Sequence, residues 1–389
     1  MELVLLTMLN KKIKIFIIAG EVSGDVLGAR IMRQMKDTAH FVGIGGAEMS
    51  ACGLQSIFPM ADLSVMGTVE VLAHARTLTR HIKETVNAII NERPDLVLTI
   101  DSPGFARSVI SKLRKCRDGR ALIANGLRFH HVVAPQVWAW RPGRAKKYAK
   151  TFDRLYAFFD FEVPYFTKYG LHTIAVGHPI AETIMETKKP LREPDDKIIT
   201  IVPGSRMGEV KRLLPIFKSV VETVSSCGYR GYRFVIPVVE TTAEYVKQEI
   251  KNWTVQPELV DGSARYDLYR QTYVAIVASG TVSAELAMLH VPTIVTYKMN
   301  AVTTWLLRRF IRVRWVSLVN ILLNRGVYPE CLGPMATAEN IINELDTIIL
   351  PANRAKMISD LASADNMWMR PNGAPSKIIA DDILASVSC

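Results

Sequence analysis

The sequence predicts two Rossmann-like, doubly wound α/β domains in tandem, with a cleft between them. Three observations carry that expectation. Short runs rich in Ile and Val alternate with helical patterns along the chain, and such runs, apolar on both faces, belong to parallel sheets covered by helices. The alternation stops once, at the charged, aperiodic stretch "ETKKPLREPDDK" (186–197), and then restarts. The chain's 389 residues also exceed what one core usually supports. The expected domains are residues 1–187 and 188–365, with a helix over about 366–389 packing back on the first.

The elements follow in order. "IKIFIIAG" reads as the first strand, and "DVLGARIMRQMK" as a helix with Leu27, Ile31 and Met35 at four-residue spacing. "HFVGIGG" and "PDLVLTID" are the next strands, with the helices "TRHIKETVNAIINE" before the latter and "ARSVISKLRK" after it. "RFHHVVAP", "RLYAFF" and "HTIAVGH" complete the first sheet. The second is expected from "KIITIVPGSR", "YRFVIPVVE", "TYVAIVASG" and "VPTIVTYKM". "RDGRALIANGLRF" is a longer connection than such units usually have.

Bulk properties narrow the function. With 48 basic and 37 acidic residues the net charge is +11, which attracts polyanions: nucleic acid, anionic lipid or a phosphorylated substrate. The five cysteines are scattered, with no C-x-x-C pair, which argues against a disulfide framework or a zinc site and for a reducing compartment. Glu2 precedes the first apolar run and lysines follow it, the reverse of a secretion signal. No run of 18 uncharged apolar residues is present to span a membrane.

Four loops at strand ends carry the chemistry, because ligands of such sheets bind beyond the carboxyl ends of the strands. "AGEVSGD" brings Gly20, Glu21 and Ser23 to a helix start without the lysine of a P-loop or the spacing of a dinucleotide fingerprint. Ser23 or Asp25 as a helix cap explains part of it and leaves Glu21 without a role. "PGSRMGEV" offers Gly204, Ser205 and the planar fork of Arg206 to a phosphate, and "ASGTVSAELA" repeats the device with Ser279, Gly280, Thr281 and Glu285. Together these two suggest a nucleotide diphosphate between helix N-termini. "TIDSPGF" ends a buried strand in Asp101, either a cap for the next helix or a carboxylate able to act as a general base. No His, Cys or acidic spacing suggests a metal site, and His130, His131 and His178 read as structural. The stretch 303–326 interleaves Trp305, Phe310 and Trp315 with Arg308, Arg309 and Arg312, which suits an anionic membrane surface, a nucleic acid, or a core helix with a wet side. Val65, Met66, Val69 and Leu72 lie in a second apolar stretch that could line a greasy site.

The motifs "AGEVSGDVLGA", "GIGGAEM", "LSVMGTVEVL", "IDSPGF", "VAPQVWAWRPGR", "VGHP", "PGSRMGEV", "ASGTVSAELA" and "SLVNILLNR" occur in this order. From about Lys14 to the C-terminal region the chain resembles the lipid-A-disaccharide synthase family. The resemblance implies a GT-B-type inverting glycosyltransferase that needs no metal or cofactor. It would join UDP-2,3-diacylglucosamine to 2,3-diacylglucosamine 1-phosphate, giving the β-1,6-linked lipid A disaccharide and UDP. It also implies a cytoplasmic enzyme held peripherally on the anionic inner-membrane surface, a homodimer, and no nucleic acid. Carried over, Asp101 matches the essential acid and Glu21 the glutamate of the first loop. Arg206 and Asn320 match polar positions implicated in activity, and 279–285 the nucleotide-binding loop. Asp101 is the candidate base and Glu21 the alternative. Many members carry a second acid where this chain has Gly104. Two other classes remain: a UDP-sugar epimerase or hydrolase, and a non-catalytic membrane or nucleic-acid binding protein.

Overall fold

The computed structural model describes residues 12–63, 75–187, 197–226, 231–298 and 314–387. The chain forms two compact units, Met1–Pro179 with Met369–Cys389, and Ile180–Trp368. Each is built on a six-stranded sheet in which every pair of neighbours is parallel.

In the first unit the strands are β1 (Ile13–Ala19), β2 (Ala39–Ile44), β3 (Leu96–Ile100), β4 (Arg128–Val132), β5 (Arg154–Ala157) and β6 (His172–Ala175), ordered β2-β1-β3-β4-β5-β6. β3 is buried at every position, as its unbroken apolar sequence requires when helices cover both faces. The helices that matter below are α1 (Val22–Gln34), α2 (Ala47–Ala51), α3 (Ala75–Glu92), α4 (Pro103–Lys115), α5 (Arg117–Ala124) and α6 (Arg144–Ala149). Phe16, Val97, Val109, Ile110 and Phe129 pack into one face of the sheet; Ile15, Ile17, Leu27, Ile31 and Leu98 pack into the other.

In the second unit β7 (Lys197–Val202), β8 (Tyr232–Val238), β9 (Glu258–Asp261), β10 (Thr272–Ala278), β11 (Thr293–Tyr297) and β12 (Glu330–Leu332) are ordered β12-β11-β10-β7-β8-β9. α7 (Met207–Ser226) and α8 (Thr281–Met288) follow β7 and β10, and α9 (Leu318–Leu323) precedes β12. The two doubly wound sheets expected from the sequence are present, with β9 and β12 as additional short edge strands.

The C-terminal segment differs from the single helix expected over 366–389. A four-residue helix, Asp365–Trp368, gives way to an antiparallel bridge between Arg370 and Gly373, and only then does α10 (Pro375–Val387) begin. Pro371 removes a backbone donor, and Gly373 adopts φ 122°, so the helix cannot run through them. α10 buries Ile379, Ala380 and Ile383 in the core of the first unit beside Leu27 and Ile31 of α1. Asp382 fixes it further, pairing with Arg154 and accepting from the Tyr156 hydroxyl at 2.8 Å, while Tyr156 also contacts His130 Nδ1 at 3.0 Å. His130 and His131 are thus structural: burial lowers both, to about 3, so both stay neutral.

Candidate functional site

Both strand orders reverse once. In the first sheet the reversal lies between β1 and β3, in the second between β7 and β10, and a doubly wound sheet opens its ligand crevice at such a point. All four motif loops lie there: "AGEVSGD" follows β1, "TIDSPGF" β3, "PGSR" β7 and "ASGT" β10.

At the first reversal the chain makes a strained turn. Asp101 and Ser102 have φ 56° and 41°, a left-handed conformation uncommon for residues with a Cβ and concentrated at functional sites. Asp101 still donates its N–H to Val132 O at 3.2 Å. Pro103 then occupies the first turn of α4, where its missing donor costs nothing. The helix receives no side-chain cap, so the carboxylate of Asp101 is free for another task. It faces the first turn of α1, with Oδ2 3.4 Å from Ser23 Oγ. A Cβ added at Gly24 would lie 3.4 Å from the same oxygen. Burial foremost, then the charge of Glu21, push the Asp101 carboxyl up from 3.8 to about 6. A carboxylate of that pKa, close to neutrality, is suited to proton transfer. Gly20, Glu21, Ser23 and Asp101 are therefore brought together. At Gly104 an added Cβ would meet nothing within 4 Å among the described residues, so the smaller residue leaves space between them.

At the second reversal lies a cavity of about 280 Å³, lined by Gly204, Ser205, Arg206, Ser279, Gly280 and Thr281, with Glu285 behind them. Gly204 has φ 107°, and a Cβ there would press within 2.8 Å of Glu209 Oε2, so the loop needs glycine to pass this close to α7. The first turns of α7 and α8 converge on the cavity, and their free N–H groups and dipoles favour an anion. Arg206 is exposed at the rim, with Nη1 3.4 Å from Glu209 Oε1. Glu285 is buried; Oε1 accepts from the Tyr266 hydroxyl at 2.8 Å and lies 3.5 Å from Arg265. Among the described residues its Oε2 has no hydrogen-bond partner. Burial raises its pKa against the pull of Arg265. A buried acceptor left open inside a polar cavity invites a donor such as a hydroxyl.

Asn320 is not part of this cavity. It is fully buried, its amide donating to Tyr328 O at 2.8 Å and Glu330 Oε1 at 2.9 Å. Its carbonyl accepts from Val327 and Tyr328 N–H, both at 2.8 Å. All four hydrogen-bonding positions are used, so the side chain has none left for a substrate. Glu330 in turn accepts from Val316 and Ser317 N–H ahead of α9. The arrangement makes Asn320 a clamp between α9 and the strand β12. Asn320→Ala is expected to lower unfolding stability by roughly 3 kcal/mol in urea melts; unaltered stability with lost activity would restore a direct substrate role.

Val65, Met66, Val69, Leu72, Trp305, Arg308, Arg309, Phe310 and Arg312 lie outside the described residues. Trp315 is half-buried against Gly326, with the Arg314 guanidinium 4.8 Å from its ring centre. Among the described residues no cluster of three or more His, Cys, Asp or Glu could hold a metal ion, and no helix is long and apolar enough to cross a membrane.

Some working residues had no usable signal in the sequence. Asp25 caps not its own helix but the next: its carboxylate accepts from Gly46, Glu48 and Met49 N–H at 2.7–3.1 Å and pins the start of α2. Glu162 accepts from Trp138 Nε1 and from Phe158 and Phe159 N–H, all at 3.1 Å, bracing the loop after β4. Tyr266 and Arg265 reach Glu285 from 19 and 20 positions away, a spacing that no local motif encodes.

The family description Lipid-A-disaccharide synthetase matches residues 15–367. A protein of Rhodospirillum centenum called lipid-A-disaccharide synthase is 38% identical over 387 residues, covering 96% of this chain and 94% of that one. One of the same name from Rickettsia conorii is 36% identical, covering 88% and 80%. Among solved structures, a Neisseria meningitidis UDP-GlcNAc 2-epimerase bound to UDP-GlcNAc aligns with TM-score 0.63 at 14% identity, over 96% of this chain and all of that one. The glycotransferase of kitacinnamycin aligns at 0.62 and 13%, over 97% and 100%. At such identities the structural likeness concerns the fold, which is that of GT-B glycosyltransferases.

Proposed function

The chain belongs to the lipid-A-disaccharide synthase family, glycosyltransferases that form the lipid A disaccharide, and from that premise we propose how its residues divide the reaction. The donor, UDP-2,3-diacylglucosamine, is held by the second unit, its diphosphate at the N-termini of α7 and α8 and a sugar hydroxyl on the open oxygen of Glu285. Arg206, at the cavity rim, offsets charge growing on the departing UDP, a task of electrostatic stabilisation. The acceptor, 2,3-diacylglucosamine 1-phosphate, gives up the proton of its 6-hydroxyl to Asp101. Its oxygen attacks the anomeric carbon from the face opposite UDP, inverting the configuration to β.

One observation carries the assignment of the base. The Asp101 carboxylate sits at the sheet's reversal, free of any cap, with its pKa pushed up to about 6. A UDP-sugar epimerase shares the fold, and its activity would need no acylated acceptor. The deciding assay mixes both acylated substrates with the chain and EDTA. Disaccharide and UDP in equal amounts are expected. Turnover of the UDP-sugar without acceptor would overturn the transferase reading, and activity lost to EDTA its metal independence. The same proposal places the chain, as a homodimer, on the cytoplasmic face of an anionic inner membrane, supported by its net charge of +11. Salt-sensitive sedimentation with anionic vesicles, and light scattering, test those two parts.

A further inference from the structure

The loop after β4 holds a feature that the reaction above leaves unused. β4 is the neighbour of β3, so this loop opens on the same sheet edge as Asp101. Trp140, 39% exposed, carries two guanidinium groups on its ring: Arg141 at 4.4 Å from the ring centre and Arg144 at 5.7 Å. Arg141 has φ 50°, a strained backbone of the kind that persists where side-chain placement matters. Arg144 Nη2 donates to Trp140 O at 3.2 Å, while its buried Nε has no hydrogen-bond partner among the described residues. A third guanidinium, Arg107 on α4, lines a groove together with Lys147 and Lys150. The phenol of Tyr148 feels the positive charges of Arg144 and Arg107 together with the negative charge of Asp101. Among the described residues none of these three arginines has a carboxylate within ion-pair distance.

We propose that Arg107, Arg141 and Arg144, held by the face of Trp140, bind the phosphomonoester of the acceptor and so orient its hydroxyl toward Asp101. This rests on the transferase reading above. Guanidinium forks match phosphate oxygens in pairs, and stacking on an aromatic face fixes the fork in advance. The buried Nε of Arg144 gains the partner it lacks. Cations and a base whose charges reach one phenol provide for a molecule that is anionic at one point and gives up a proton at another. Lys112, Lys115, Lys147 and Lys150 continue the positive charge along the groove between α4 and α6, so the phosphate of a bulk lipid headgroup is the competing source.

The test compares wild type with Arg107→Gln, Arg141→Gln and Arg144→Gln in detergent micelles, with the acceptor and its dephosphorylated counterpart. Circular dichroism and a cooperative thermal melt like that of wild type check that each variant is folded. Each substitution is expected to lower kcat/KM for the phosphorylated acceptor on the order of 10- to 100-fold more than for the dephosphorylated one. Water-soluble glucosamine 1-phosphate should inhibit wild type competitively against the acceptor and the variants far less. Equal losses on both acceptors, no loss, or a defect confined to binding anionic vesicles would overturn the proposal. If wild type makes no disaccharide, the transferase reading fails separately. Calorimetry of glucosamine 1-phosphate then still decides, since equal binding by wild type and all three variants removes the phosphate site.

Discussion

Asp101→Asn is expected to reduce kcat by about 10²- to 10⁴-fold, the range usual for loss of a general base, while UDP affinity stays at the wild-type value. UDP is assigned to the other unit, so binding and chemistry separate cleanly. The wild-type pH profile should show the same group. A base must be ionised, and this carboxyl has a pKa of about 6. The rate should therefore rise with pH through about 6 and level off above it. Glu21→Gln distinguishes the two carboxylates. The charge of Glu21 is the second cause of the raised value, after burial, so removing it should move the acid limb to lower pH and leave the plateau largely intact. If Glu21 is instead the base, Glu21→Gln abolishes the plateau and Asp101→Asn spares it.

The same shift makes a prediction about stability. The folded-state pKa of Asp101 is raised above its unfolded value, so the unfolded chain ionises first as pH increases. Stability is lost between about pH 4 and 6 and the cost is constant above that. Asp101→Asn removes the cost, and asparagine also tolerates φ 56°. The inactive variant should be more stable than wild type at pH 8, by up to about 3 kcal/mol, and no more stable at pH 3.5. Stability given up at a catalytic group is a common pattern.

What the sequence revealed and what it hid follow from the range of the forces involved. β3 and β10 were readable because each is an uninterrupted apolar run needing burial on both faces. β9, "ELVD", and β12, "ECL", are edge strands of only four and three residues, and their pairing comes from the neighbouring strand rather than from their own pattern. The connection 116–127 folds as α5 because Gly119 comes so close to Leu113 O, 2.2 Å from where a Cβ would sit, that α4 and α5 can meet. The site loops announced themselves through small residues and an isolated acid at strand ends. Asn320 was singled out only through the family resemblance, as a polar position implicated in activity; what no local pattern encodes is that Tyr328 and Glu330 take up its amide.

Gly20→Ala should remove nearly as much activity as loss of the base, through a collision rather than a lost group. A Cβ at Gly20 would lie 1.8 Å from Ser102 Oγ and 2.4 Å from Ser102 Cβ, too close for any rotamer adjustment. Ser102 follows Asp101 in the left-handed turn, so the displacement passes straight to the carboxylate. Misplacing a reacting group by about 1 Å can cost roughly 100-fold. The collision also names its own remedy. Ser102 has φ 41°, a conformation glycine adopts without strain, and Ser102→Gly deletes both atoms that would be struck. The double variant Gly20→Ala, Ser102→Gly is therefore expected to recover most of the activity, and Ser102→Gly alone to stay close to wild type. If the double variant is as inactive as Gly20→Ala, position 20 acts on the substrate itself and not through the turn. If it recovers, the first loop and the "DSPG" turn are one mechanical unit. The glycine of "AGEVSGD" is then required because a strand ending in a carboxylate has to fold back across it.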